Sequence, residues 1–496
     1  MSAITVPLII RGRVISDGDV EFGGRRGAAS FRAPDVGRYL DELPLSRPEA
    51  IADLYTLSFE DILDYLDRLA ERLTLANPYL SEAFDLSVET SGLTPELLRT
   101  AYDTLGTFFE RSYVRQHADI LIGIPYLEGW VDTRADRGYV ASVRAFGARA
   151  VHIIAGNSPG VCAISLMRSF VTRSDTIIKT PSNDPMTASA IARTMIEMAP
   201  DHPMTRHLSV AYWKGGDPSI EDRLYSPRHI EKLIAWGGLA SVRHITKYVQ
   251  PGIDLITLDP KLSSTIIGKA AFADEAIMAE VAGRLALDVG VHNQEACLNA
   301  RVVYIQSGTD AAGLARARRF GELMFEALLR LPSALSTPAR QLNPALAEEI
   351  EGLRYAGDAF TLIGGDRRGG VIVSNLAEPV DFAPLLANRV ANLVPIDTLD
   401  TAIRAVNAYT QTIGVYPDDL LSELRDPLAF HGAQRLVSLG YATRRIVAGP
   451  SDGIEPARRM CKWILQERYD PTLEPALPVV ATQASRDAGD AGPDRL

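Results

Sequence analysis

Cys297 is one of three cysteines in a chain of 496 residues, and it lies in the polar stretch NQEACLNAR, residues 293–301. A helix-like segment ending in DVGVH precedes it and the strand-like VVYIQ follows. In such a loop a thiol is open to a substrate, and its thiolate is a nucleophile able to form a covalent intermediate. The alternative is a small buried hydrophobe, which is how Cys162 and Cys461 read in the apolar stretches GVCAISLM and RRMCKWI. His292 stands five residues before Cys297 and raises the idea of a Cys/His pair, although closeness in sequence does not make contact in space.

Other residues bear on the same chemistry. Asn157 sits after an apolar strand and before a helix start, so its amide either caps a turn or donates to a developing oxyanion. Lys179 ends the run TIIK, where it either emerges into solvent or meets a ligand. GNSPG at 156–160 and GGLAS at 237–241 are glycine-bearing turns between strand and helix. Such turns serve tight packing or the approach of backbone to a phosphate. Neither is a GxGxxG or Walker loop, no serine sits in a G-x-S-x-G elbow, and no His/Asp/Glu cluster has metal-ligand spacing.

The elements that must hold these residues alternate from residue 149 onward. The apolar strand RAVHIIAG leads to a helix opened by Pro159, and TIIKTP leads to a helix behind Asp184-Pro185. HLSVAYW, KLIAWGG with the helix LASVRHITKYV, and IDLITLD continue the series. Near-continuously apolar strands separated by helices imply a parallel sheet covered on both faces, with ligands at the carboxyl ends of its strands. Asp274 is expected to cap the helix EAIMAEVAGRLALDVG, with Gly290 as its terminator; the cysteine loop, the strand RVVYIQ and a helix over 310–331 follow. Upstream, Ser58 and Asp61 form a capping-box pattern, and Thr94-Pro95 is expected to cap and open one helix through ELLRTAYDTLGTFFERS.

The bulk composition is that of a globular protein, with 46% hydrophobic and 23% charged residues. A net charge of −11 without a Lys/Arg block argues against nucleic acid as a partner. Three cysteines without paired spacing suggest a reducing compartment, and the first residues lack the basic start and small-residue cleavage pattern of a secretory signal. No apolar run approaches the ~18 residues that span a bilayer. The expectation is a cytoplasmic protein.

Read together in chain order, these motifs resemble the aldehyde dehydrogenase superfamily. More narrowly, they resemble the LuxC-type acyl-CoA reductases, the fatty acid reductases of bacterial bioluminescence, over roughly residues 100–468. Gln294-x-x-Cys297-x-x-x-Arg301 matches the nucleophile loop, and AGNSPG matches the W-N-x-P segment, which implies Asn157 as the oxyanion-hole amide. TIIKTPSNDP stands for V-x-K-P-S-E-x-x-P, which implies that Lys179 binds the adenosine ribose. Ser182 there replaces a glutamate that disfavours a 2′-phosphate, so the resemblance implies NADPH, with NADH possible. IAWGGLASVR stands for F-T-G-S-x-x-V-G, placing Gly237 and Gly238 beneath the cofactor pyrophosphate. GPSDGIEPARRMCKWI resembles the family's HDG…L…RW signature, with Ser451 where histidine is usual.

The departures sharpen what the resemblance implies. Aligning Lys261 with the lysine of E-L-G-G-K puts Thr257 where hydrolytic members carry their glutamate base. The E-x-F-G-P segment has become ANRVANL. The implied activity is reduction of a long-chain acyl thioester to the aldehyde through a cysteine acyl-enzyme. The donor would be acyl-CoA, an acyl carrier or an acyl-transferring partner. The alternatives are a hydrolytic aldehyde dehydrogenase and a noncatalytic assembly subunit. The implied fold is α/β and aldehyde-dehydrogenase-like, a homo-oligomer with a Rossmann-type cofactor domain, an α/β catalytic domain and a β-arm. The expected division is a β-element or arm over 1–45, a helical region with the dinucleotide-binding domain over 46–270 and a catalytic domain over 271–440. A return segment over 441–470 and a disordered tail over 471–496 complete it.

Overall fold

In the computed structural model the described residues are 4–23, 29–134, 139–258, 261–444, 449–470 and 472. Apart from Thr472, the expected tail lies outside them. The chain opens with a hairpin, β1 (Leu8–Ile10) and β2 (Arg13–Ile15), and a ribbon, β3 (Val20–Gly23) and β4 (Ser30–Ala33). A helical layer follows. Ser58 and Asp61 close the capping box of helix Phe59–Arg72, as their spacing suggests. The helix begun by Pro95 ends at Asp103, and Thr94 makes no side-chain cap; its hydroxyl bonds Thr337 Oγ1 at 2.9 Å. A tertiary partner has taken the group that local pattern assigned to the cap.

After β5 (Val131–Arg134) and β6 (Val140–Phe146) come β7 (Arg149–Ile153), β8 (Asp175–Lys179), β9 (Leu208–Ala211), β10 (Lys232–Trp236) and β11 (Asp254–Leu258). The first large sheet has the order β11-β10-β7-β8-β9-β1-β2. Its five strands from β7 onward run parallel, and the N-terminal hairpin joins antiparallel to β9. Every residue of β7, β8 and β9 is buried, the burial expected of a parallel sheet with both faces covered.

The second large sheet starts at β12 (Leu262–Ile267) and continues with β13 (Ala300–Ile305), β14 (Phe360–Asp366), β15 (Gly369–Ser374), β16 (Val390–Pro395), β17 (Thr410–Tyr416) and β18 (Arg435–Ser438). Its order is β14-β15-β16-β13-β12-β17-β18, so the chain changes sheet between Leu258 and Leu262. Asp274 caps helix Glu275–Gly290 through Ile277 N at 2.8 Å, and the helix runs through Gly290 to a cap at Val291. Gly290 is therefore the last helical residue rather than the terminator beyond it. A Cβ there would come 2.5 Å from a Leu331 methyl, so glycine serves packing at that point. Finally β19 (Lys462–Arg468) pairs antiparallel with β6, which also pairs β5, in a separate three-stranded sheet.

Candidate active site

Strand register sets one edge of the site. Ile153 of β7 lies opposite both Lys179 of β8 and Ala235 of β10, so Asn157, Lys179 and Gly237 all follow the same carboxyl edge of the first sheet. The Asn157 turn is held from the neighbouring loop. Asn183 Nδ2 donates to Gly156 O at 2.7 Å, and a Cβ on Gly156 would fall 2.3 Å from Asn183 Oδ1. Ser158 then caps helix Pro159–Val171 by accepting from Gly160 N.

The second edge is the cysteine loop. His292, Asn293 and Gln294 all take left-handed backbone, at φ 52°, 52° and 65°. Such residues cost about 1 kcal/mol or more each and persist only where surroundings fix them. Asn293 Oδ1 accepts from Thr337 N at 2.8 Å. The buried Gln294 amide donates to Ala300 O and Val390 O and accepts from Val390 N, at 2.8, 2.9 and 3.0 Å. Asn299 Nδ2 donates to Asp288 O and Val291 O, pinning the loop to the end of the preceding helix. Gln294, the most specific polar residue of the motif, is thus a clasp between the loop and β16. The polar residues around the cysteine are therefore not equivalent: the Gln294 and Asn299 side chains are spent on holding the loop.

The two edges meet. Asn157 Nδ2 donates to Glu295 O at 3.2 Å, tying the first sheet to the cysteine loop two residues before Cys297. One Asn157 N–H is used in that bond, which leaves the second for a ligand; its Oδ1 is buried without a hydrogen-bond partner. Cys297 is half-buried, whereas Cys162 and Cys461 are buried. Its carbonyl accepts from Ser263 Oγ at 2.6 Å, and Ser263 Oγ in turn accepts from Thr412 N at 3.2 Å. Burial pushes the Cys297 thiol up, and the Asp452 carboxylate pushes the same way. A Gln411 side-chain hydrogen bond, the Arg301 charge and the residue's own N–H oppose them. His292 does not join: burial alone depresses its ring, and it is not among the groups that shift the Cys297 thiol.

Lys179 is buried, with Nζ bonding Thr180 O at 3.3 Å and lying 5.7 and 5.6 Å from the ring centroids of Tyr212 and Trp213. Burial lowers it to about 8, opposed by the Glu221 charge. Ser182 is half-buried three residues beyond the end of β8. Gly238 caps helix Leu239–Thr246, and a Cβ there would meet nothing within 4 Å; at Gly237 it would make only ordinary contact with Ser241. Neither glycine is demanded by the protein's own packing, which fits a backbone kept open for a ligand. Trp236, just before them, keeps a buried Nε1 without a partner. These groups fit a nicotinamide dinucleotide: an ammonium with spare donors for ribose hydroxyls, and open backbone for a pyrophosphate. Thr257 is half-buried in β11, opposite Ala235.

Sequence reasoning missed Ser263, Asn183, Gln411 and Asp452. Ser263 and Gln411 arrive through strand pairing and Asp452 through a distant turn, while Asn183 comes from the loop after β8 without a pattern that marks its bond to Gly156. Among the described residues no cluster of three His, Cys, Asp or Glu could hold a metal, and no helix is long and apolar enough to cross a membrane.

The fold is that of the aldehyde dehydrogenases. Lactaldehyde dehydrogenase from Escherichia coli superposes with TM-score 0.72 at 15% identity, covering 94% of this chain and 100% of that one. An NADP-dependent glyceraldehyde-3-phosphate dehydrogenase from Bacillus halodurans gives 0.69 at 13% identity, covering 94% and 99%. Within that class, the sequence profile of the family described as acyl-CoA reductase (LuxC) matches residues 54–463, and the chain belongs to that family. A long-chain acyl-protein thioester reductase of Photorhabdus luminescens is 30% identical over 336 residues, or 66% of this chain and 65% of that protein. The matched part thus spans just under two thirds of that relative. The namesake from Vibrio harveyi is 24% identical over 470 residues, 93% of each chain.

Proposed function

We propose that the chain reduces a long-chain fatty acyl thioester to the aldehyde, with Cys297 as the nucleophile and NADPH as the reductant. The observation that carries this reading is the half-buried Cys297 in a loop bonded to Asn157. A thiol and an amide donor so linked suit attack on a thioester carbonyl.

In this reading the Cys297 sulfur bonds the carbonyl carbon, the bond from that carbon to the donor's sulfur breaks, and the proton of Cys297 leaves with the donor thiol. Asn157 Nδ2 and the Cys297 N–H hold the oxyanion meanwhile. A bound nicotinamide supplies the hydride that takes the acyl group to the aldehyde level. Collapse of the reduced adduct frees the aldehyde and returns the thiolate, which takes a proton from solvent. Lys179 would hold the adenosine ribose, Gly237 and Gly238 the pyrophosphate, and Ser182 would admit a 2′-phosphate by not being an acid. Thr257 offers no base for water, so the thioester survives to be reduced.

That relatives are long-chain acyl-protein thioester reductases favours a protein-borne acyl donor over free CoA. Exposed Ile464 and Leu465 on β19, at 43% and 53%, support a homo-oligomer formed through that sheet. A spectrophotometric comparison tests the reading: acyl thioester with NADPH should turn over faster than aldehyde with NAD. Faster oxidation of aldehyde to free acid would instead establish a hydrolytic dehydrogenase, and inertness in both with no acylation of Cys297 would leave an assembly subunit.

A further inference from the structure

Glu221 is an acid almost without access to water, at 1% exposed, and the proposed chemistry does not use it. It lies on the short helix Pro218–Leu224 that follows β9. A buried carboxylate is costly unless hydrogen bonds meet its charge, and here donors meet both oxygens. Oε1 accepts from Trp213 Nε1 at 3.3 Å and from Gly216 N at 3.1 Å, both in the segment after β9. Oε2 accepts from His244 Nε2 at 2.6 Å. Tyr248 OH lies 3.4 Å from the same oxygen and makes its shorter bond, 2.8 Å, to Asp222 Oδ1. Since a carboxylate only accepts, His244 Nε2 carries the proton of its bond to Glu221.

These donors come from the two sides of a crevice. In the first sheet β7 and β8 lie between β10 and β9, which sets the outer two about 14 Å apart at the usual strand spacing. His244 belongs to helix Leu239–Thr246, which follows β10. The Glu221–His244 bond therefore joins the elements that leave β9 and β10, across one face of the sheet. Ile153, Ile177, Trp213, Ile220 and Ile245 form part of a single core cluster on that face. Lys179 ends β8 in the middle of the span, and its Nζ lies 5.6 Å from the Trp213 ring centroid. The indole that Glu221 holds by its N–H is thus a surface on which the ammonium rests. On the far side, the helix that His244 anchors is the one capped by Gly238, and Ile245 is its one buried residue. Little apolar packing fixes that helix, so the bond to Glu221 matters for where its first turn stands.

We infer that Glu221 is a positioning residue for the adenosine half of the cofactor, holding Trp213 against Lys179 and, through His244, the helix that starts behind Gly238. The inference rests on the reading that Lys179, Gly237 and Gly238 bind that half. Glu221 touches no reacting atom; it fixes the two walls between which the dinucleotide would lie.

The test is fluorescence titration of the full chain with NADPH and with reduced nicotinamide mononucleotide, which lacks the adenosine half. Glu221→Met removes every acceptor and should weaken NADPH about tenfold, the value of one charged hydrogen bond, while the mononucleotide keeps its parental affinity. Glu221→Gln keeps an acceptor for Trp213 and Gly216 and should recover most of that loss. His244→Ala cuts only the tie to the helix and should weaken NADPH about threefold; it serves if circular dichroism shows that Glu221→Met does not fold. Both probes weakened alike, or neither weakened, would overturn the inference, because a general loss of structure does not distinguish the two halves. Lys179→Met separates this outcome from a failure of the cofactor reading. At parental NADPH affinity it overturns that reading and the inference with it. Weakened beside an unaffected Glu221→Met, it overturns the inference alone.

Discussion

Lys179 shows at the scale of one side chain how a site is built against stability. Its ammonium is buried between aromatic rings, and burial holds it near 8 rather than 10.5. The unfolded chain then binds the extra proton between those values, so this group's contribution to stability rises with pH across that window and is most unfavourable below it. Replacing the charge by an apolar chain of similar length removes that cost. Lys179→Met should raise the melting temperature of the free protein by about 2 °C or more at neutral pH. The same change should weaken NADPH binding about tenfold or more, the value of a charged hydrogen bond. Calorimetry and a fluorescence titration check the two halves; a fall in melting temperature would mean that the ammonium is satisfied within the protein. The residue scale is also where sequence spoke most clearly. Cys297 stood out because its neighbours are polar, whereas Cys162 and Cys461 lay in apolar runs, and both are buried. Gln411 carried no comparable signal, since a glutamine beside threonines in a strand has no local pattern that marks it.

Among elements, the cysteine loop carries three consecutive left-handed residues and is held by side chains rather than by regular hydrogen bonding. Gln294 alone satisfies two carbonyls and one N–H from Ala300 and Val390. Gln294→Leu would leave those buried groups unpaired at about 1–3 kcal/mol each, so a total loss of about 2–4 kcal/mol is expected after local relaxation. Urea unfolding measures that loss, and hydrogen exchange should show it centred on residues 291–300. Local rules predicted helix starts well where the cap is a sequence-near bond, as at Ser58 with Asp61 and at Asp274 with Ile277. At Thr94 they placed the helix start but not the hydroxyl's bond, because its partner Thr337 lies on a remote segment that no spacing rule reaches. The strands of the second sheet were mostly illegible for the same reason. The β14–β15 hairpin turns on glycines at φ 73°, 95° and 105°, and β16 to β18 find their order only through parallel pairing across long connections.

Over the whole molecule, the proposed site lies where the two sheets are tied together. Asn157 and Lys179 come from the first, Cys297 and Gln411 from the second, and the Asn157–Glu295 bond joins them. The alternation of apolar strands and helices made the first sheet legible in advance, since its parallel pairing buries both faces and writes that burial into the sequence. The β-character of residues 1–45 was legible, but not the pairing with β9 that makes its hairpin an edge of that sheet. Thr257 belongs here, as it sits on β11 of the first sheet while Cys297 belongs to the loop before β13 of the second. Thr257→Glu should restore a general base and divert the acyl group to water. Free fatty acid should then form about tenfold or more faster than in the parent, which chromatography of the products measures.

Cys297 should carry the acyl group and pass it to hydride rather than to water. Intact-mass measurement after incubation with an acyl thioester, before and after addition of NADPH, tests it most directly. An adduct of one acyl group on Cys297 that persists without cofactor and leaves as aldehyde when NADPH is added is the predicted result. A chain that gains no acyl mass, or an adduct that departs as free acid at the same rate with or without NADPH, would contradict it.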